Sequence, residues 1–176
     1  MMSVVQSAGR GVTQVVTRCD GAKETGYLDL SSCQLMFIPD AIYLLLKGYE
    51  ITKVNIQDNA MKKFPRKFVA KFPNATIINM ANNEITEIPE EFGSWTSLKG
   101  VTACKNKMEV FPMEVMKLEK LIYLDLSGNE IKDLPVSQLY TSLPNLLKLN
   151  LSSNPLSEDV KSQLQSGKSD KLQLIL

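Results

Sequence analysis

The chain has 176 residues, of which 44% are hydrophobic, and it carries 20 lysines and arginines against 19 aspartates and glutamates. This length suits one domain whose core is large enough to fold without disulfides or bound metal. The net charge of +1 supplies no long-range field that would recruit nucleic acid or an anionic membrane, so neither is expected as a partner.

The cysteines and the lengths of the apolar runs indicate where in the cell the protein is located. Cys19, Cys33 and Cys104 are an odd number and lie far apart, which argues against a disulfide framework and for a reducing environment. Residues 1–20 contain no unbroken apolar run of signal-peptide length, and no run long enough to span a membrane follows. The sequence therefore predicts a cytoplasmic protein.

The first segment has a helical stripe of small and aliphatic residues. Its members are Val4, Ala8, Val12, Val15, Val16 and Cys19. This spacing predicts a helix over residues 1–22 that caps one end of the core. The alternative is a helix that lies on a membrane surface, which requires a basic polar face, and this segment offers only Arg10 and Arg18.

Six segments that follow share one spacing of aliphatic residues, asparagine and proline. They are LDLSSCQLMFIP (28–39), VNIQDNAMKKFP (54–65), INMANNEITEIP (78–89), VTACKNKMEVFP (101–112), LDLSGNEIKDLP (124–135) and LNLSSNPLSEDV (149–160). The first has cysteine in the asparagine position, and the last lacks the proline. Their first aliphatic residues are Leu28, Val54, Ile78, Val101, Leu124 and Leu149, so the steps are 26, 24, 23, 23 and 25 residues.

A period of about 20 to 29 residues that contains L-x-x-L-x-L-x-x-N/C-x-L is the leucine-rich-repeat signature, and residues 25–160 resemble that family. The resemblance implies an α/β solenoid over residues 23–160, with a curved parallel sheet on the concave face and short helical or 3₁₀ turns on the convex face. The proline-bearing units without flanking cysteines resemble the intracellular type. Stacking is also required physically, because one unit cannot enclose a core alone.

Each unit places one polar or thiol side chain among its aliphatic residues. These positions are Cys33, Asn59, Asn83, Asn106, Asn129 and Asn154. A buried amide without partners costs about 1 to 3 kcal/mol. Because an amide has donors and an acceptor, stacked asparagines can pair with backbone groups of their own and the adjacent turn. We predict a structural asparagine ladder, with Cys33 as a weaker donor in the first unit.

Apolar pairs follow each proline and predict the type of convex turn. The pairs are Phe68 and Phe72, Phe92 and Trp95, Val115 and Leu118, and Leu139 and Leu143. Pairs four apart occur in units of 24 and 25 residues, and pairs three apart occur in units of 23. The longer units are therefore expected to form α-helical turns and the shorter ones 3₁₀ turns, with these side chains in the core.

The remaining residues offer little chemistry. The chain has no histidine, and its cysteines do not approach the spacing of zinc ligands. Residues 166–169, SGKS, are similar to the end of a phosphate-binding loop, but the earlier glycine position holds Ser162 and no predicted strand precedes it. No catalytic residue, metal or cofactor is predicted, and the chain is not expected to be an enzyme.

The exposed positions of the predicted strands are the candidate partner-binding residues. They are Tyr27, Asp29, Lys53, Asn55, Ile77, Asn79, Thr102, Tyr123, Asp125, Lys148 and Asn150. The tyrosines supply contact area and the charged residues fix orientation, whereas two tyrosines are too sparse for stacking RNA bases. Two hypotheses stay open: a monomeric module that binds a protein or peptide on the concave sheet, and a regulatory or structural subunit of a larger intracellular assembly whose concave face has no ligand.

The last residues, DKLQLIL, are unusually apolar for a free tail. A further step of 23 residues from Leu149 and Leu151 reaches Leu172 and Leu174. Residues 161–176 are therefore predicted to form a C-terminal cap with a truncated seventh strand, which places Lys171 and Gln173 on the concave side. The alternative is a flexible hydrophobic tail.

Overall fold

The computed structural model describes the backbone of residues 4–176 and the side chains of residues 13–176. Helix α1 spans Val4–Thr25, three residues beyond the predicted end of the cap. Cys19 and Ala22 are buried on its inner face, and Val15 packs partly against the same core. The prediction for Val16 is wrong: it is 39% exposed, because the buried face follows positions 15, 19 and 22 around the helix. The other members of the stripe, at positions 4, 8 and 12, lie outside the described side chains.

One parallel sheet of seven strands forms the concave face, with the strands in chain order. The strands are β1 (Tyr27–Asp29), β2 (Lys53–Asn55), β3 (Ile77–Asn79), β4 (Gly100–Thr102), β5 (Tyr123–Asp125), β6 (Lys148–Asn150) and β7 (Gln173–Ile175). The register aligns the first aliphatic residue of each of the six units with that of the next, as Leu28 with Val54 and Leu124 with Leu149. These side chains are buried and form the spine of the solenoid.

The convex face carries α2 (Asp40–Leu45), α3 (Lys67–Lys71), η1 (Glu90–Ser94), η2 (Met113–Lys117), α4 (Val136–Ser142) and α5 (Glu158–Gly167), where η denotes a 3₁₀ helix. The predicted link between unit length and turn type is confirmed. The amide of Phe72 donates to the carbonyl of Phe68, four residues earlier, whereas the amide of Trp95 donates to the carbonyl of Phe92, three residues earlier. No helix within residues 4–176 is long and apolar enough to cross a membrane.

The chain ends in a seventh strand, but its register differs from the prediction. Leu174, and not Leu172, lies opposite Leu149, so the last step is 25 residues. The extra length is taken up by α5, a ten-residue helix whose first turn is capped by Ser157 through the amide of Val160. Because the shift is two residues, side chains keep the same face, and Gln173 lies beside Lys148 on the concave side as expected.

Candidate functional site: the concave sheet and its asparagine ladder

The asparagine ladder joins each repeat to the one before it. The Asn106 side-chain oxygen accepts a hydrogen bond from the Ile85 amide at 3.0 Å. Its Nδ2 donates to the carbonyls of Met80, in the preceding repeat, at 3.0 Å and of Ala103, in its own repeat, at 3.1 Å. The same pattern recurs at Asn59, Asn83, Asn129 and Asn154. The side chain therefore satisfies backbone groups that the turn leaves without strand partners.

The ladder also constrains the backbone beside it. In each repeat, the residue just before the ladder position adopts the left-handed conformation, with φ of 53° at Lys105 and 64° at Gly128. The other members are Ser32, Asp58, Asn82 and Ser153. Five of the six are not glycine, so the fold holds side chains in a conformation that ordinarily disfavours them.

The first end of the concave face is a hydrogen-bonded cluster around Asp29. Arg18 of α1 reaches it, and its Nη1 lies 3.4 Å from the Asp29 carboxylate and 2.6 Å from the Ser31 carbonyl. Asn55 Nδ2 donates to the same carboxylate at 3.1 Å and to the Tyr27 hydroxyl at 3.2 Å. Asp29 is therefore already paired within the chain and is less available to a partner than the sequence suggests.

A second cluster surrounds Asp125 on β5, towards the other end of the concave face. Its carboxylate accepts hydrogen bonds from the Tyr123 hydroxyl at 3.0 Å, Asn150 Nδ2 at 3.2 Å and the Ser127 hydroxyl at 2.6 Å. The ammonium group of Lys148 lies 5.6 Å from the centre of the Tyr123 ring. Burial, together with the hydrogen bond to the Asp125 carboxylate, raises the pKa of Tyr123 to about 12, which keeps the phenol neutral.

Between the clusters lies a shallow apolar notch. Ile77 is 43% exposed on β3, and its neighbour in the register, Gly100, presents no side chain. A Cβ at Gly100 would meet only Ile77 within 4 Å, at an ordinary contact distance of 3.7 Å, and its φ lies outside the left-handed range. Neither packing nor backbone geometry requires a glycine there. Thr102 flanks the notch and is half-buried, as is Asn79, which donates to Gln57 at 2.6 Å.

Two of the predicted concave residues are less accessible than the strand pattern suggested. Asn55 and Asp125 are 7% and 8% exposed. These short side chains are buried because side chains on the adjacent strands cover them. Lys53 is exposed as expected. The contribution of Arg18 was missed, because no sequence pattern fixes how α1 is oriented against the sheet.

The described residues offer neither a metal site nor an activated thiol. They contain no group of three or more cysteine or acidic side chains placed to hold an ion. Cys19, Cys33 and Cys104 are free, and burial raises the pKa of each thiol, which disfavours the nucleophilic thiolate. The concave surface offers side-chain contacts and hydrogen bonds.

Comparisons with known families agree with the repeat pattern. The family model "Leucine Rich repeats (2 copies)" matches residues 119–166, and "Leucine Rich Repeat" matches residues 74–95. An adenylate cyclase of Podospora anserina is 31% identical over 115 residues, which is 65% of this chain and 5% of the cyclase. PH domain leucine-rich repeat-containing protein phosphatase 1 of Mus musculus is 32% identical over 127 residues, which is 71% of this chain and 7% of the phosphatase. The chain therefore spans less than a tenth of these relatives.

Solved structures share the architecture. An internalin from Listeria monocytogenes matches with a TM-score of 0.66 at 18% identity, over 85% of this chain and 40% of the internalin. The leucine-rich repeat domain of APL1B matches with a TM-score of 0.64 at 19% identity, over 89% of this chain and 42% of that domain. At this level of identity, the likeness concerns the fold.

Proposed function

Because the chain carries leucine-rich repeats and folds as a leucine-rich-repeat solenoid, we propose that it is a non-enzymatic module that binds a protein or peptide on its concave sheet. The free cysteines and the absence of a disulfide among residues 4–176 support the cytoplasm as its location. The enzymes among its relatives match only over a small part of their length, so their activities do not carry over to this chain.

The notch at Gly100 is the observation that supports the concave face. A glycine inside a strand weakens the strand and often marks a place where a ligand approaches closely. Here it leaves a gap beside the exposed Ile77, and Tyr123 borders the gap on the next strand. An apolar side chain of a partner would fit this gap, while the paired tyrosine and lysine of the second cluster would contact its flanking residues.

Filling the notch tests the proposal. Gly100→Leu should occupy the gap and lower recovery of any concave-face partner about tenfold or more in quantitative affinity capture from cell lysate, read by mass spectrometry. The double variant Tyr27→Ala/Tyr123→Ala should weaken the same partners. Val110→Ser, at an exposed site outside the sheet, is the matched control and should leave recovery unchanged. If all the variants recover the same proteins equally, the concave face is not the binding surface.

The alternative is a structural or regulatory subunit of a larger assembly whose concave face has no ligand of its own. Two observations favour it: the concave carboxylates of Asp29 and Asp125 are already hydrogen-bonded within the chain, and the matching relatives carry the corresponding segment as a small part of a large protein. Under this alternative, Gly100→Leu and the tyrosine variants change no captured protein, whereas substitutions elsewhere on the surface do.

A further inference from the structure

The first repeat exposes two large apolar side chains where most other repeats are polar. Met36 and Phe37 are 67% and 71% exposed. In the next four units the same two positions hold Lys62-Lys63, Thr86-Glu87, Glu109-Val110 and Lys132-Asp133. The spine does not require this pair, because Ile38, the following residue, is the one that is buried.

These side chains border a furrow between the first two repeats. Two adjacent cavities of about 470 and 550 Å³ lie there and share Asp40, Tyr43 and Lys67 along their common wall. Met36 and Phe37 line the first cavity; Leu44, which is 73% exposed, and Tyr49 line the second. The backbones of α2 and α3 lie farther apart than those of η1 and η2, which leaves the furrow between them. Side chains still cross its floor, since Tyr43 of α2 contacts the Phe68 ring of α3 with the ring centres 5.9 Å apart. We call this region the first furrow.

The first furrow is strongly basic, although the whole chain is nearly neutral. Its walls carry one carboxylate, Asp40, and six cations: Lys47, Lys62, Lys63, Arg66, Lys67 and Lys71. Lys67 pairs with Asp40 at 2.6 Å, and Arg66 lies 3.6 Å from Glu91. Among residues 13–176, no carboxylate lies within ion-pair distance of the other four.

We propose that the first furrow is a second docking surface, which binds an acidic, amphipathic segment of another protein. Two apolar side chains of this segment would enter the two cavities, and its carboxylates would pair with the lysines on the rims. An exposed apolar patch with a charged rim is typical of an interaction site, and the charge of this rim selects an acidic partner. The proposal is independent of the concave face.

Two other occupants are conceivable, and the geometry favours them less. A lipid surface could contact the exposed Met36, Phe37 and Leu44, but it would leave the two cavities between the repeats unfilled, whereas side chains of a protein segment can enter them. A second copy would have to present its acidic groove, whose charged residues are Glu87, Glu109 and Glu114 together with one lysine, Lys107. That groove lies on a different part of the molecule, so such a contact would not close into a symmetric dimer but would continue into chains of molecules.

Selection of random peptides of about 16 residues, displayed on phage, against the full chain tests the proposal. Counter-selection uses the triple variant Met36→Ser/Phe37→Ser/Leu44→Ser, whose substituted side chains are all exposed, so folding is checked by an unchanged melting curve. The enriched peptides should be acidic and should carry at least two apolar residues. Recovery of peptides no more acidic than the starting library, or of none, would overturn the proposal.

Fluorescence anisotropy with single enriched peptides then separates the contributions. Lys62→Glu/Lys63→Glu should weaken binding about tenfold or more, while Lys132→Glu, at the same position of the fifth repeat, should change it by about twofold or less. Val110→Ser is the matched apolar control. Gly100→Leu should leave peptide binding intact, so failure of the concave-face proposal and failure of this one are distinguishable.

Two further measurements decide between the competing occupants. If the chain sediments with phosphatidylserine vesicles and the triple variant does not, the first furrow binds a membrane instead. Concentration-dependent association of the chain in light scattering, lost in the triple variant, would assign it to a second copy. Either result would contradict the proposal. The proposal is supported if the chain stays monomeric, does not bind the vesicles and binds acidic peptides through the first furrow.

Discussion

Replacing Asn106 with alanine tests the ladder at its most central rung. Asn106 is 6% exposed and lies between two other buried rungs, Asn83 and Asn129. The substitution removes one acceptor and the donors of one amide group while the aliphatic side chains around it stay in place. Its cost therefore reports on the hydrogen bonds of the ladder more than on apolar packing.

The magnitude follows from which backbone groups lose their last partner. The carbonyls of Met80 and Ala103 keep a second donor, because Asn83 Nδ2 and Asn129 Nδ2 also bond to them at 3.2 and 3.0 Å. The amide of Ile85 has only the Asn106 oxygen, and Ile85 is fully buried. One orphaned buried amide costs about 1 to 3 kcal/mol, so Asn106→Ala should lower the free energy of unfolding by about that amount.

Urea unfolding followed by circular dichroism measures this change as a lower midpoint with an unchanged slope. Asn145→Ala is the control, since Asn145 is exposed and its amide donates once, at 2.9 Å, to the carbonyl of Glu119 in the preceding repeat. The control should shift stability by about 0.5 kcal/mol or less. Equal midpoints for wild type and Asn106→Ala would show that the ladder does not hold the repeats together.

Three other predictions concern the ends, the backbone and the alkaline range. Deletion of residues 171–176 removes β7 and leaves the edge of β6 unpaired. The melting temperature should therefore fall by several degrees, and light scattering should detect oligomers formed through this edge. A truncated chain that stays monomeric and melts like the full chain would contradict the prediction. Lys105→Gly should raise the free energy of unfolding by about 0.5 to 1 kcal/mol, because it removes a side chain from a left-handed position. Gly128→Ala should lower it by about 1 to 2 kcal/mol, because it adds a side chain at the equivalent position. If the two variants shift the melting temperature in the same direction, the cost of the left-handed conformation does not explain these changes. The phenol of Tyr123, with a pKa of about 12 against an ordinary value of 10.0, should ionise late in an ultraviolet titration. Because the folded-state pKa is the higher one, its contribution to stability is complete below pH 10.0 and is lost as the pH rises through about 12. Burial also raises the pKa of Tyr43 and of Tyr140, so Tyr123→Phe should reduce the late step by one phenol.

Most of the fold could be predicted from the sequence because one spacing decides it repeatedly. Identical offsets in neighbouring repeats must stack, so the strand register and the buried asparagines follow from the alignment alone. The turn types were predictable for the same reason, since three- and four-residue spacings correspond to different hydrogen bonds. The register of β7 was not, because no further repeat fixes the length of the segment that precedes it.

The site was less predictable because lateral neighbours decide exposure. The alternation in a strand correctly places Asn55 and Asp125 on the concave face, but only the structure shows that adjacent side chains bury them. The first furrow had a signal in the sequence that the strand pattern does not use: Met36 and Phe37 replace mostly polar residues at matching offsets. The exposure of such a pair depends on how α2 and α3 pack, and the spacing of the repeats does not predict this packing.

The backbone hydrogen bonds just after the strands run in one direction, and this explains why the two ends of the sheet are closed differently. There, each repeat donates amides to the carbonyls of the next, as Leu30 to Asn55 and Leu151 to Ile175. The last of the six repeats therefore needs acceptors, which β7 provides. The first repeat lacks donors for the carbonyls of Asp29 and Ser31, and Arg18 Nη1 supplies both, at 3.1 and 2.6 Å. A guanidinium group thus replaces the amides of an absent preceding repeat, which gives α1 a polar role in the cap in addition to covering the spine.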